Sequence, residues 1–103
     1  MADGSDNYRL TATGYHGTAG DSLGFYHHGH QFTTYDRDHD LNPGANCAQQ
    51  YSGAWWYLAC YHSNLNGRYL YAPDNLDTQG IIWGEFISNM EGLKHVVMKI
   101  KRI

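Results

Sequence analysis

The chain has 103 residues, enough for one small domain with a limited core. Aromatic residues make up 15% of it and charged residues only 17%, with 12 glycines; that mixture suits a loop-rich fold better than a helical bundle. A formal net charge of −3 removes the electrostatic case for nucleic acid, and no apolar run is long enough to span a bilayer.

Residues 1–7 are polar, contain no apolar export-signal core, and read as a disordered leader. Residues 8–13 alternate loosely, as a short strand closed by Gly14 does. Residues 17–23 are turn-rich, with Asp21 or Ser22 placed to cap a helical turn. Among seven histidines, His27, His28 and His30 are clustered; in a strand His28 and His30 share a face and His27 does not. Two ligands make a poor zinc site, so these residues read as exposed loop or strand histidines. Residues 31–35 lean towards strand, 36–46 form an acidic loop, and 47–52 suit one helical turn. The aromatic run 54–58, bounded by Gly53 and Cys60, reads as a buried strand. A turn at 64–67 follows, then a short strand at 68–71, a loop at 72–80, an apolar strand at 81–83 and a loop at 84–92. Residues 96–103 alternate Met98 and Ile100 with Lys99 and Lys101, the period of a half-buried final strand. The basic cluster there, with Lys94 and Arg102, reads as that strand's solvated face rather than a heparin or membrane patch.

Asp36, Asp38 and Asp40 place three carboxylates at alternate positions of one loop. They repel one another unless a cation joins them, and calcium takes six to eight oxygen ligands from carboxylates, carbonyls and water. An EF-hand begins with the same alternation, but it needs Gly at loop position six and Glu at twelve, where this chain has Leu41 and Cys47. The other reading is a solvated acidic turn partly neutralised by Arg37 and His39. Cys47 and Cys60 are the only cysteines. Free thiols remain open, a metal pair lacks further ligands, and a disulfide is favoured. A bridge over such a loop stabilises by roughly 3 kcal/mol and implies an oxidising compartment. It would also consume the thiol of a Cys60–His62 nucleophile pair, and no other catalytic motif is present, so the chain reads as a binding module and not an enzyme.

The order of several stretches resembles the fibrinogen-related domain family. They are residues 14–23, 32–40, 46–48 and 53–57, Cys60, then 63–67, 80–83 and 97–100. Together they cover nearly everything from Tyr8 onward. The resemblance implies an α+β, loop-rich fold of short antiparallel strands and one or two helical turns, with residues 8–103 as a truncated calcium- and ligand-binding subdomain. It implies calcium held by the Asp38 and Asp40 carboxylates and by backbone carbonyls around Asn42 and Gly44, with Asp36 peripheral. It further implies a Cys47–Cys60 disulfide and a cis peptide between Ala59 and Cys60. A ligand pocket would lie beside the bridge, from Tyr51, Ala59, Cys60, Tyr61, Trp83 and Asp77. Such a pocket takes an N-acetyl group in the lectin branch, with aromatic rings around the methyl and a backbone N–H at the floor.

There are departures from the family pattern. Tyr61 stands where His is frequent, and Tyr51 and Thr78 stand where acidic residues grip a positively charged chain terminus. The final strand, deprived of its usual sheet, would pair with 8–13 and 31–35 or leave an exposed edge. The expectation is a secreted, extracellular, calcium-dependent module of an oligomeric parent protein. It would bind acetylated carbohydrate as an innate-immune lectin does, or alternatively a receptor protein in the angiopoietin-like or fibrinogen-like manner.

Overall fold

The computed structural model describes residues 1–68, 80–86, 93 and 95–101. Within them regular structure is sparse. The order is a 3-10 turn Gly4–Asp6, helix α1 Gly24–His27, helix α2 Cys47–Tyr51, and strands β1 Ser63–Asn64 and β2 Ile82–Trp83. The two strands pair antiparallel, Ser63 opposite Trp83 and Asn64 opposite Ile82. This is the α+β, loop-rich architecture expected from the sequence.

Helix α2 has a side-chain N-cap in Asn46, whereas the residue before α1 is Leu23 and caps nothing with its side chain, so the order there comes from Asp21 two positions earlier. Asp21 Oδ1 accepts the amides of Leu23 and Gly24 at the head of α1, and Asn46 Oδ1 accepts those of Ala48 and Gln49 at the head of α2. The helices are too short to persist alone, so tertiary packing sustains them.

The core centres on Trp55, Trp56 and Tyr57, each at most 1% exposed. Burying one such ring removes roughly 150–250 Å² from water, about 4–6 kcal/mol as an upper bound. The Trp56 indole N–H donates to Tyr8 O at 2.8 Å, and the Tyr57 hydroxyl to Asn64 Oδ1 at 2.6 Å. Burial also pushes the Tyr57 phenol above its ordinary value. The run is buried as expected, yet it is not a strand with one wet face. Among the described residues it pairs only at Trp55, which exchanges backbone bonds with Thr33, and three successive buried residues require cover on both sides. Gly53 precedes them because a Cβ there would lie 2.6 Å from the Tyr57 hydroxyl and 2.9 Å from Asn64 Oδ1.

Three expectations differ from the structure. Residues 8–13 form no strand: Tyr8 has φ +55°, a left-handed conformation that breaks any extended run, although Leu10 exchanges backbone bonds with His30 and Gly29. Residues 96–101 form no strand either. Met98 packs on the core but Ile100 stays 55% exposed; alternation sorts side chains to two faces only where a partner strand defines them. Among the described residues this stretch accepts a hydrogen bond from the Met1 amino group at Lys101 O. Residues 1–7, expected as a disordered leader, hold the 3-10 turn, capped by Asp3 and closed by an Arg9–Asp6 ion pair at 2.9 Å. The expected strand at 68–71 lies largely outside the described residues.

Candidate functional site

The acidic loop is folded onto α2 and the bridge by its own polar side chains. Thr34 and Arg37 exchange backbone bonds, and His39 donates from Nδ1 to Phe32 O at 2.7 Å. Asn46, while capping α2, donates from Nδ2 to the Thr34 and Tyr35 carbonyls. Asp40 links the loop's middle to its end: Oδ1 accepts the Asn42 amide, and Oδ2 accepts the Cys47 amide at 2.7 Å. Asp38 Oδ1 accepts the Asp40 amide, and Asn42 Oδ1 the Gly44 amide.

Cys47 and Cys60 are joined by a disulfide with Cα atoms 5.6 Å apart, and the Ala59–Cys60 peptide is cis. The loop reaches this bridge directly. Leu41 donates its amide to Leu58 O at 3.0 Å, and Asn42 Nδ2 points at Cys60 Sγ at 3.6 Å. Loop, bridge and the segment around Cys60 are therefore one connected unit. Tyr51, at the end of α2, meets Tyr61 edge to face, ring centroids 4.9 Å apart and planes at 84°. Both rings are half-buried, and Ala59 beside them is exposed. Tyr51 and Tyr61 thus meet next to the bridge formed by Cys60.

Trp83 belongs to different surroundings. Its indole N–H donates to Gly20 O at 2.7 Å, and its ring lines a cleft of about 200 Å³ with Tyr15, Asp21 and Leu23. Asp77 and Thr78 lie outside the described residues.

Among the described residues no three His, Cys, Asp or Glu side chains converge on one point. A cation at the loop would therefore rest on two carboxylates plus neutral oxygens, which is calcium chemistry and not zinc chemistry. The donors fit that role. The carboxyl of Asp40 is held above its ordinary value, by burial first and also by the neighbouring Asp38 charge. Neither aspartate is in an ion pair among the described residues. Each Asp40 oxygen accepts one N–H and keeps further lone pairs.

The histidine reading needs correction. His27 is not exposed but fully buried, at the last position of α1. Its Nδ1 donates to Trp56 O at 2.8 Å, and its Nε2 accepts the amides of His62 and Ser63 at 3.0 and 3.2 Å. These partners fix a neutral imidazole with the proton on Nδ1. Burial lowers its value to about 4 from the ordinary 6.5. His28 Nδ1 accepts the Ala12 amide. Nothing local in the sequence marks His27, because each partner is 29 or more positions away.

Comparison with known proteins bears on the whole chain. Residues 1–103 match the family described as fibrinogen beta and gamma chains, C-terminal globular domain. The chain is 46% identical over 98 residues to fibrinogen C domain-containing protein 1 of Macaca fascicularis, covering 95% of this chain and 22% of that protein. It is 43% identical over 101 residues to tenascin-R of Rattus norvegicus, covering 98% of this chain and 7% of that protein. Among solved structures, the fibrinogen-like globe domain of human ANGPTL2 superposes with a TM-score of 0.81 at 46% identity, over 89% of this chain and 43% of that one. Lamprey fibrin D-dimer, complexed with the peptide Gly-His-Arg-Pro-amide, superposes with a TM-score of 0.69 at 30% identity, over 89% of this chain and 35% of that one. The chain thus spans less than half the length of these relatives, and it belongs to the family of the fibrinogen C-terminal globular domain.

Proposed function

We propose that this chain is an extracellular recognition module that binds acetylated glycans at the Tyr51–Tyr61 corner, beside a loop that takes calcium. The observation that carries the reading is the aromatic corner itself: two half-buried rings 4.9 Å apart, next to a disulfide that is tied to the acidic loop through Asp40, Leu41 and Asn42. Rings of this kind cover a small methyl group, while neighbouring backbone polar groups satisfy an amide. The disulfide supports an oxidising, extracellular setting, and no helix among the described residues is long and apolar enough to cross a membrane.

Calcium would be held by the Asp38 and Asp40 carboxylates, with carbonyls such as those of Asn42 and Gly44 and with water. It would supply the positive charge that the two carboxylates lack. A loop fixed at Asp40 in turn fixes Cys47, and through the bridge it fixes Cys60 and Tyr61.

A second reading, a protein- or peptide-binding module, is favoured by one comparison, the lamprey fibrin structure that holds a peptide. Against a basic chain terminus as the ligand stands the neutral Tyr51, at a position where the family resemblance expects an acid. One experiment separates the two. The protein is applied to N-acetylglucosamine resin in calcium, then challenged with chelator and with free acetate. Retention lost under both challenges is the expected result. Calcium binding without retention would transfer the module to the protein-binding reading.

A further inference from the structure

Gly20 anchors two aromatic rings at once. Its N–H donates to the Tyr15 hydroxyl at 2.7 Å, and its carbonyl accepts the Trp83 indole N–H at 2.7 Å. The position needs glycine: its φ is +85°, and a Cβ there would run into the Glu85 side chain. With their polar tips held in this way, both rings line a cleft of about 200 Å³, together with Ala12, Thr13, Asp21 and Gly24.

Asp21 gives the cleft its charge. Oδ1 is occupied by the Leu23 and Gly24 amides, whereas Oδ2 accepts no hydrogen bond among the described residues. The Ala12 carbonyl oxygen likewise accepts none there. The two free oxygens face the same space: a Cβ on Gly24 would lie 2.8 Å from Asp21 Oδ2 and 3.1 Å from Ala12 O. Since residue 24 is glycine, that space stays open. Among the described residues no cation pairs with Asp21, and Glu85 is engaged by His62 at 3.1 Å. We propose that this cleft is a second binding site, which takes the free ammonium group of an amino sugar.

The chemistry follows from the lining. A primary ammonium has N–H donors for both Asp21 Oδ2 and Ala12 O, and the aromatic rings attract its charge and cover the adjoining C–H groups. A quaternary ammonium would meet the rings but donate to neither oxygen. A lysine side chain would bring only methylenes to the exposed Thr13 hydroxyl, where a sugar ring brings hydroxyls. The cleft is smaller than the roughly 300 Å³ at which drug-sized pockets begin, which suits a single sugar residue. Acetylation abolishes the ammonium, so this cleft and the Tyr51–Tyr61 corner proposed above would select opposite states of the same sugar nitrogen. The cleft stands on its own residues and does not depend on the acetyl-binding reading.

Amide chemical-shift mapping of the full chain with D-glucosamine tests the assignment, in calcium and in chelator. Shifts are expected at Tyr15, Gly20, Asp21 and Gly24 and at the Trp83 indole N–H, alike in both conditions. Asp21→Asn keeps an oxygen for the Leu23 and Gly24 amides and removes the charge; it is expected to weaken glucosamine binding about tenfold. Tyr15→Ala, at a ring already 44% exposed, is expected to weaken it roughly two- to fivefold. N-acetylglucosamine is expected to leave these signals in place. Equal shifts from N-acetylglucosamine, unchanged affinity in Asp21→Asn, or shifts confined to the acidic loop or the corner would overturn the proposal. Tighter binding of Nα-acetyl-lysine amide or tetramethylammonium than of glucosamine would overturn it as well. Failure of the corner to hold N-acetylglucosamine would leave the glucosamine shifts unchanged, so the two sites fail separately.

Discussion

The segment 55–63 and the acidic loop 36–46 lie against each other but are held by different forces. The first is fixed by burial: Trp55, Trp56 and Tyr57 exclude water, and the buried His27 closes the rest with bonds reaching 29 to 36 positions along the chain. The second is largely exposed and is held by side-chain bonds, several of them Asp or Asn oxygens accepting the backbone amide two positions on. Such turns shape a loop without burying apolar area, so they leave it responsive to a ligand. The difference teaches that a change in the core should act at all calcium levels, whereas one in the loop should act mainly through calcium.

The largest expected effect lies in the core. Trp55→Ala, at a fully buried site, should lower stability by about 3–5 kcal/mol in calcium and in chelator alike; thermal unfolding in both conditions measures it. A loss confined to one condition would break the comparison. Next comes the bridge, where both regions meet. Replacing Cys47 and Cys60 together with Ser should cost roughly 3 kcal/mol and loosen loop and segment in concert, as read by amide exchange on each. Independent loosening would contradict the coupling through Asp40 and Leu41.

The third effect depends on pH. Because the folded value of His27 is lowered, to about 4, the unfolded chain carries the extra proton between 4 and 6.5. The stabilising share of His27 is therefore complete above about 6.5 and is lost as the pH falls to about 4, amounting to about 3 kcal/mol. Urea unfolding across that range, compared between wild type and His27→Gln, isolates it from Asp40, whose raised value acts with the opposite sign.

The smallest effect on the fold lies in the loop. Asp38→Asn should change stability in chelator by no more than about 0.5 kcal/mol, since it relieves repulsion at Asp40. Together with Asp40→Asn it should abolish the rise in melting temperature that calcium produces. An undiminished rise would remove these two residues from the cation's shell.

Much of this division can be read along the chain, because its causes are local. Asp21 stands in the turn-rich stretch just before α1, the aromatic run beside Gly53 marks the core, and the alternating aspartates mark the loop. What escapes a local reading is whatever depends on distant partners. His27 looks like one of a surface cluster until Trp56 and Ser63 are brought to it. Met98 and Ile100 alternate like a strand, yet no strand pairs with them among the described residues, and Met98 packs on the core while Ile100 stays exposed. Trp83, placed by resemblance beside Tyr51, instead turns its indole to Gly20.

The central claim, that the corner beside the bridge is where a ligand binds, is tested most directly by amide chemical-shift mapping with N-acetylglucosamine in saturating calcium. The account predicts shifts concentrated at Tyr51, Cys60 and Tyr61 that vanish on adding chelator. Shifts clustered instead around Tyr15, Asp21 and Trp83, or none at any concentration, would contradict it.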